Sequence, residues 1–367
     1  MMKVALVHDW MIHMRGGEKV LEAIAELYPE ATIYTLFCDR ERLSPSLQKM
    51  TVRTSFLQKL PWIKNYYRWL LPFLPWILGT LKIERCDLVI SSSHCVAKGI
   101  AIPPQAKHIS YIHTPMRYIW GFEKIYFDTY PFVIRRIIMF LLKYLRRWDL
   151  KTNDQVDFFV ANSKNVQNRI EHFYHRESKI IYPPVDLNMF VPQTSERGDY
   201  YLVVSAFVPY KRVDLVIEAF NHWQKRLIIV GSGPLESSYH KIRKSRNISF
   251  LNSVTDTQLR SLFSEAKAVI FPTEEDFGIV PLEAQACGTP VIALGKGGAL
   301  ESVKHGVFFY EQTPEAIRQA VLEFETKSFD YSAIPQAVTQ FNKDHFQNQF
   351  SEFVRECLGQ GVEHAAP

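Results

Sequence analysis

Short apolar runs recur along this chain and alternate with stretches of helical periodicity. The runs KVALVHDW, DLVISS, HISYIH and DFFVANS lie in the first half, and YLVVSAF, LIIV, ISFL and AVIF in the second. They are almost continuously apolar, as in parallel strands covered on both faces. Between them stand helical segments such as EKVLEAIAELY, with Val20, Leu21, Ile24 and Leu27 on one face, VDLVIEAF and TQLRSLFSEA. Strands alternating with helices build doubly wound sheets. The segment YPPVDLNMFVPQTSERGDY, rich in proline and polar residues, reads as a connector. The pattern therefore predicts two Rossmann-like α/β domains, 1–183 and 184–343.

A chain of 367 residues is long for one core and suits two. Its 47% hydrophobic content excludes a disordered protein. A net charge of +5, gathered in no single block, makes nucleic acid a poor partner and leaves an anionic substrate or membrane surface. The five cysteines, Cys38, Cys86, Cys95, Cys287 and Cys357, are scattered without CxxC spacing, as free thiols in a reducing compartment would be. MMKVALVHDW runs straight into a strand, with no room for a secretion signal, so a cytoplasmic location is expected.

In PTEEDFGIVPLEAQACGTPVIA, the strand AVIF ends at Pro272 and Gly278 permits a tight turn. Pro281 suits a first helical position, placing Glu283 in the first turn and leaving Glu275 in the loop. Carboxylates so placed accept hydrogen bonds from sugar hydroxyls while helix-start N–H groups hold phosphate; a first-turn glutamate also suits the helix dipole with no ligand at all. Lys211 and Arg212 follow a strand and turn at the mouth of a helix, which suits a diphosphate but equally a solvated basic pair. Gly16 and Gly17 lie between the first strand and first helix, where backbone can approach a ligand or simply enter the helix. GSGP at Gly231–Pro234 lacks the third glycine of a dinucleotide fingerprint and reads as a wall of the nucleotide site. His113 ends the strand HISYIH and should face the ligand side of the sheet, in a catalytic or a structural role.

Two segments mix aromatic and basic residues. FLQKLPWIKNYYRWLLPFLPWILGTLKI is too short in its apolar run and too rich in proline to span a bilayer. PFVIRRIIMFLLKYLRRWDLK interleaves Arg135, Arg136, Lys143, Arg146 and Arg147 with an apolar body, as in helices lying at a lipid interface. Both also fit ordinary covering helices with snorkelling cations.

The stretch EDFGIVPLEAQACGTPVIA resembles the E-x7-E signature of family 4 retaining glycosyltransferases, which have the GT-B fold. The resemblance extends through HDWMIHMRGGEKVLEAI, HTPMRYIWG, IIYPPVDLNMF, SAFVPYKRVDLVIEAF, IIVGSGPL, FLNSVTDTQL and GKGGALESV, in the expected order. HTPMRYIW and VPYKRVDL resemble most the WbaZ-like mannosyltransferases of bacterial surface polysaccharide assembly, such as O-antigen or capsule. It implies two doubly wound domains facing a central cleft, with a C-terminal crossover helix, about 344–363, returning to the first domain. It implies transfer, with retention, of a sugar, mannose from GDP-mannose, onto a lipid-linked oligosaccharide by an enzyme on the cytoplasmic membrane face. In that reading Glu275 fixes sugar hydroxyls, Glu283 the ribose, and Lys211 with Arg212 the departing diphosphate. Val254 meets the base, while Phe277, Gly278, Ile279 and Val280 hold sugar and phosphate beside Gly17. His113 contacts the transferred sugar; Asp9, Trp10, Arg15, Gly16, Tyr118 and Trp120 stand on the acceptor side. No cofactor or metal is implied. One departure is Ala206, five residues before Lys211, where the family carries arginine: either Arg212 supplies the charge, or donor binding and catalysis are impaired. A nucleotide-sugar epimerase and a non-catalytic nucleotide-sugar-binding protein remain the alternatives.

Overall fold

The computed structural model describes residues 2–128, 130–194 and 196–359. Its contacts divide the chain into two units, Met1–Pro184 joined by the residues from Asp344 onward, and Val185–Lys343.

In the first unit β1 (Val4–His8), β2 (Thr32–Thr35), β3 (Thr51–Thr54), β4 (Leu88–Ser93), β5 (Lys107–Ile112), β6 (Phe158–Ala161) and β7 (Lys179–Ile180) form one parallel sheet, ordered β3-β2-β1-β4-β5-β6-β7. Strand order reverses between β1 and β4, which is where ligands bind in open α/β sheets. The register sets His8 beside Ser92 and Ser93 beside Ile112, so three adjacent strands deliver His8, His94 and His113 to one edge. Helix α1 (Gly16–Leu27) buries Val20, Leu21 and Ile24 against the sheet. It begins at Gly16 itself. The two glycines expected as a turn are its first residues, because Arg15 already takes the extended N-cap conformation and its N–H donates to Glu18 Oε2 at 3.2 Å.

The aromatic segment after β3 breaks into short turns, Phe56–Lys59, Ile63–Tyr66, Tyr67–Phe73 and Leu74–Leu78, as its prolines dictate. Helix α2 (Phe132–Lys151) roots its C-terminal half in the core through Leu142, Leu145 and Asp149, whereas its first turns, with Phe132, Val133, Ile134 and Ile137, are exposed all round. Among the described residues no helix is long and apolar enough to cross a membrane.

The second unit holds β8 (Tyr200–Val204), β9 (Arg226–Val230), β10 (Ile248–Leu251), β11 (Ala268–Phe271), β12 (Val291–Leu294) and β13 (Gly306–Phe309), again parallel, ordered β10-β9-β8-β11-β12-β13 and reversing between β8 and β11. Helix α3 (Val213–Phe220) follows β8, and α4 (Ile279–Ala286) follows β11.

Helix α5 (Lys343–Cys357) belongs, from Asp344 onward, to the first unit. Phe346 and Phe350 pack edgewise or tilted on Tyr111, and Gln347 donates to Ala23 O at 2.9 Å. Each buried phenylalanine contributes about 1.5–3 kcal/mol to that docking. The end of the expected helix, residues 360–363, lies outside the described residues.

Candidate active site

In the second unit the two strands flanking the reversal, β8 and β11, each hand one charged residue to the site. Past β8 the chain makes a one-turn helix, Pro209–Lys211, then Arg212 takes a left-handed conformation with φ 50 before α3. Thr273, just past β11, donates through Oγ1 to Tyr210 O at 3.1 Å and ties the two loops together. Across this tie Lys211 Nζ forms an ion pair with Glu275 Oε1. Both are only partly exposed, so neither charge is fully solvated.

Arg212 is directed elsewhere. Its guanidinium meets Asp214, with Nη2 at 3.2 Å from Oδ2, so the charge expected to stand in for the arginine absent at Ala206 is matched by a carboxylate two residues on. Ala206 is exposed on the loop after β8. Beside it, Gly231 (φ 149) and Gly233 (φ 155) lie against Ser205 and Phe207, where a Cβ would stand 1.8 Å from Ser205 O and 2.6 Å from Phe207 O. Only glycine fits that wall.

Gly278 caps α4 with φ 91, so the helix begins two residues earlier than Pro281 suggested. Proline remains acceptable there because the opening N–H groups of a helix have no intrahelical partner. Glu283 is therefore in the second turn, and buried. Phe277 is buried, its ring 5.7 Å from that of Phe341, while Ile279 and Val280 are half-exposed at the helix start. Val254 is half-exposed in the loop following β10. The sequence reading did not single out Gly297 and Gly298. Gly298 N–H donates to Glu275 O at 2.8 Å, and a Cβ on Gly298 would lie 2.2 Å from Phe277 Cα. This glycine pair holds the Glu275 loop in place; the doublet in GKGGALESV, directly after an apolar run, was the available signal.

In the first unit the histidines cluster beside the start of α1. Ser92 Oγ bridges His8 Nδ1 (3.1 Å) and His113 Nε2 (2.8 Å). A hydroxyl has one proton, so it donates to one ring and accepts from the other, which links the two tautomers. Burial, then the neighbouring His94, pushes His113 down to about 3, and the same leading causes bring His8 to about 3. Both rings are neutral at physiological pH. Gly17 leaves the space above them open: a Cβ would lie 3.6 Å from His113 Nε2 and 3.8 Å from His8 Nε2, an atom with no hydrogen-bond partner. Asn162 Nδ2 donates to His113 O at 3.0 Å and fixes that backbone.

Several acceptor-side expectations require correction. Asp9 is fully buried, and its carboxylate accepts the N–H groups of His94, Cys95, Val96 and Ala97 at 2.6–3.0 Å, with His94 Nδ1 at 3.1 Å. It holds the loop that carries His94 and has no surface for an acceptor. Trp120 donates its Nε1–H to Asp149 Oδ2 at 2.7 Å and stacks on Phe173 at 4.9 Å, so its ring is a packing element. Tyr118 packs against Tyr126, 5.0 Å between centroids, and burial pushes its phenol up. Trp10 is buried but lines a pocket with Arg15, which is exposed. Among the described residues no group of three or more His, Cys, Asp or Glu is placed to hold a metal ion.

The chain matches the model for Glycosyltransferase Family 4 over residues 14–189 and that for Glycosyl transferases group 1 over residues 185–339. It is similar to the alpha-1,3/1,6-mannosyltransferase ALG2 of Kluyveromyces lactis, 26% identical across 94% of this chain and 78% of that one. It is also similar to the O-antigen chain mannosyltransferase RfbU of Salmonella typhimurium, 25% identical across 81% of this chain and 78% of that one. Among solved structures, Anabaena HepE in complex with UDP has a TM-score of 0.71 at 20% identity, covering 97% of this chain and 100% of HepE. Sucrose-phosphate synthase from Thermosynechococcus elongatus has a TM-score of 0.72 at 17% identity, covering 98% and 100%. At such identities these two likenesses concern the fold.

Proposed function

The chain belongs to the family 4 glycosyltransferases, with the family 4 region followed by the group 1 region, and from that premise we propose that it moves mannose from GDP-mannose onto a lipid-linked oligosaccharide with retention of anomeric configuration. The observation that carries this reading is the Lys211–Glu275 ion pair at the strand reversal of the second unit. Without donor the two charges satisfy each other. With donor bound, Lys211 turns to the diphosphate and Glu275 is released to accept hydrogen bonds from sugar hydroxyls. Glu283 is assigned to the ribose, Val254 to the base, and Phe277 to Val280 to sugar and phosphate.

In the transfer, the bond from the anomeric carbon to the diphosphate oxygen breaks while the acceptor hydroxyl attacks on the same face, and its proton passes to the departing diphosphate. His113, held neutral, hydrogen-bonds the transferred sugar, and Gly17 leaves room for the donor phosphate. Positioning and charge neutralisation by Lys211 supply the rate, with no divalent cation called upon. Mannose is favoured by the names of ALG2 and RfbU. Neither an epimerase nor a non-catalytic binding protein is favoured beside relatives that are transferases.

The lipid-linked acceptor fits the exposed apolar start of α2, with Arg136, Lys143 and Arg147 on the same helix, as an attachment to the cytoplasmic face of a membrane. A helix start that exposes Phe132, Val133, Ile134 and Ile137 beside Arg136 suits a lipid surface.

Calorimetric titration of GDP-mannose, UDP-glucose, GDP and UDP in chelator, on the natural chain and on Ala206→Arg, tests the donor. Selective guanine-nucleotide binding is expected; uracil preference would overturn the donor assignment, and binding restored only by arginine would show that Arg212 does not replace it.

A further inference from the structure

A pocket of about 200 Å3 opens in the first unit between the chain that follows β1 and the aromatic segment after β3. Trp10 and Tyr67, both buried and 4.8 Å apart, are among its lining residues. Arg15, Lys64 and Arg68 also line it, and all three are exposed. The single carboxylate in the lining, Glu18, is buried and accepts the Arg15 N–H. Just outside, Asp39 is shared by Lys64 and Arg42, so cations remain in excess. His13, also in the lining, is held below its usual value by burial first and by Arg15 and Arg42 next, which reports a positive local field. Such a site favours a multiply charged anion, and guanidinium forks match phosphate oxygens.

The same segment that contributes Lys64 and Arg68 carries rings turned to solvent. Trp62 is 79% exposed, Trp69 72%, Trp76 65% and Phe73 60%. An anion-binding pocket whose own wall continues into exposed aromatics suits an amphiphile, with a charged group lodged in the pocket and an apolar chain along the rings.

We propose that this pocket binds the diphosphate of a lipid-linked acceptor, with Arg15, Lys64 and Arg68 on the phosphate oxygens and the lipid chain leaving along Trp62, Trp69 and Trp76. The proposal rests on the lipid-linked acceptor of the preceding section and names the chemistry that recognises it. A free diphosphate and the donor's own diphosphate share that chemistry, so the test separates the three.

The full-length protein in detergent micelles is titrated with citronellyl diphosphate, citronellol, inorganic diphosphate and GDP. Citronellyl diphosphate is expected to bind best, to persist in saturating GDP, and to weaken at least about tenfold in Lys64→Gln and in Arg68→Gln, with partial recovery in Arg68→Lys. Equal binding of citronellol, displacement by GDP, or binding no tighter than inorganic diphosphate would each overturn it, as would unaltered affinity in both glutamine variants. GDP-mannose titrated into the same samples keeps the two readings apart. Its failure to bind while citronellyl diphosphate binds removes the donor assignment alone, and the reverse removes this pocket alone.

Discussion

Lys211 and Glu275, 64 residues apart in sequence, form one ion pair because the strands before them, β8 and β11, are neighbours at the point where the second sheet reverses its order. Each partner is the other's counter-charge until a donor arrives. Lys211→Ala and Glu275→Ala are each expected to lower transfer by about 10²–10³ or more, with the fold retained by circular dichroism. Because they act as a unit, the double variant should be little worse than either single one. Steady-state rates of the three variants check this; near-normal activity in either single variant would remove that residue from the site.

Gly17→Ala should separate folding from function. The added methyl would meet His8 and His113 at 3.5–3.8 Å, ordinary contact, so thermal stability should change little. It would nevertheless fill the space over His113 Nε2, and transfer should fall by about 10–100-fold. A melting curve and a rate on the same sample decide.

Asp9→Ala should damage the fold. It strips a shared acceptor from four N–H groups in a buried loop, at a cost of about 3 kcal/mol or more. Asp9→Asn, which keeps one acceptor oxygen, should cost less. Urea denaturation at neutral pH measures both; a loss of activity without loss of stability would restore a direct ligand role to Asp9.

Stability should fall on acidification. Burial is the first cause that holds His8, His108 and His113 at about 3, about 4 and about 3, below the ordinary 6.5. Between those values and 6.5 the unfolded chain binds protons that the folded chain refuses, so stability rises with pH through that window and levels off above it. Each group contributes up to about 1.4 kcal/mol per pH unit. Denaturation midpoints from pH 7 down to pH 4.5 should show the decline, and a flat profile would contradict neutral buried rings.

Vesicle sedimentation checks the membrane face. Wild type should associate with anionic vesicles more than with neutral ones, by about 1 kcal/mol per cation lost when Arg136, Lys143 and Arg147 are changed to glutamine. Serine at Trp62, Trp69, Phe132 and Phe140 should weaken association with both kinds. Equal sedimentation of all variants would leave these rings for a protein partner.

The strands most readable in the sequence were the apolar ones. VALVH, LVISSS and AVIF are buried throughout or nearly so, and their residue types show it. Thr32–Thr35 and Thr51–Thr54 were not legible, since threonine-rich runs of four carry no strong period, and Lys179–Ile180 is only a two-residue addition at the sheet edge. Val291–Leu294 is apolar enough to read, but it hides inside the longer glutamate motif. Spacing placed Lys211 and Glu275 just past two strands, where the structure has them, but could not show that they pair, which depends on sheet order. Asp9 and Trp120 misled because their types suit a ligand surface, and only tertiary structure reveals four N–H groups around one and Asp149 beside the other. Gly297 and Gly298 act through close backbone approach, which the doublet in GKGGALESV signals without saying which backbone it meets.

The most direct test of the central claim is the anomeric configuration of the product made from GDP-α-mannose and a lipid-linked acceptor in excess chelator, read by proton NMR. An α-linked mannoside, formed at the same rate without divalent cations and lost in Glu275→Ala, is the predicted result. A β-linked product, free mannose, or dependence on added metal would contradict it.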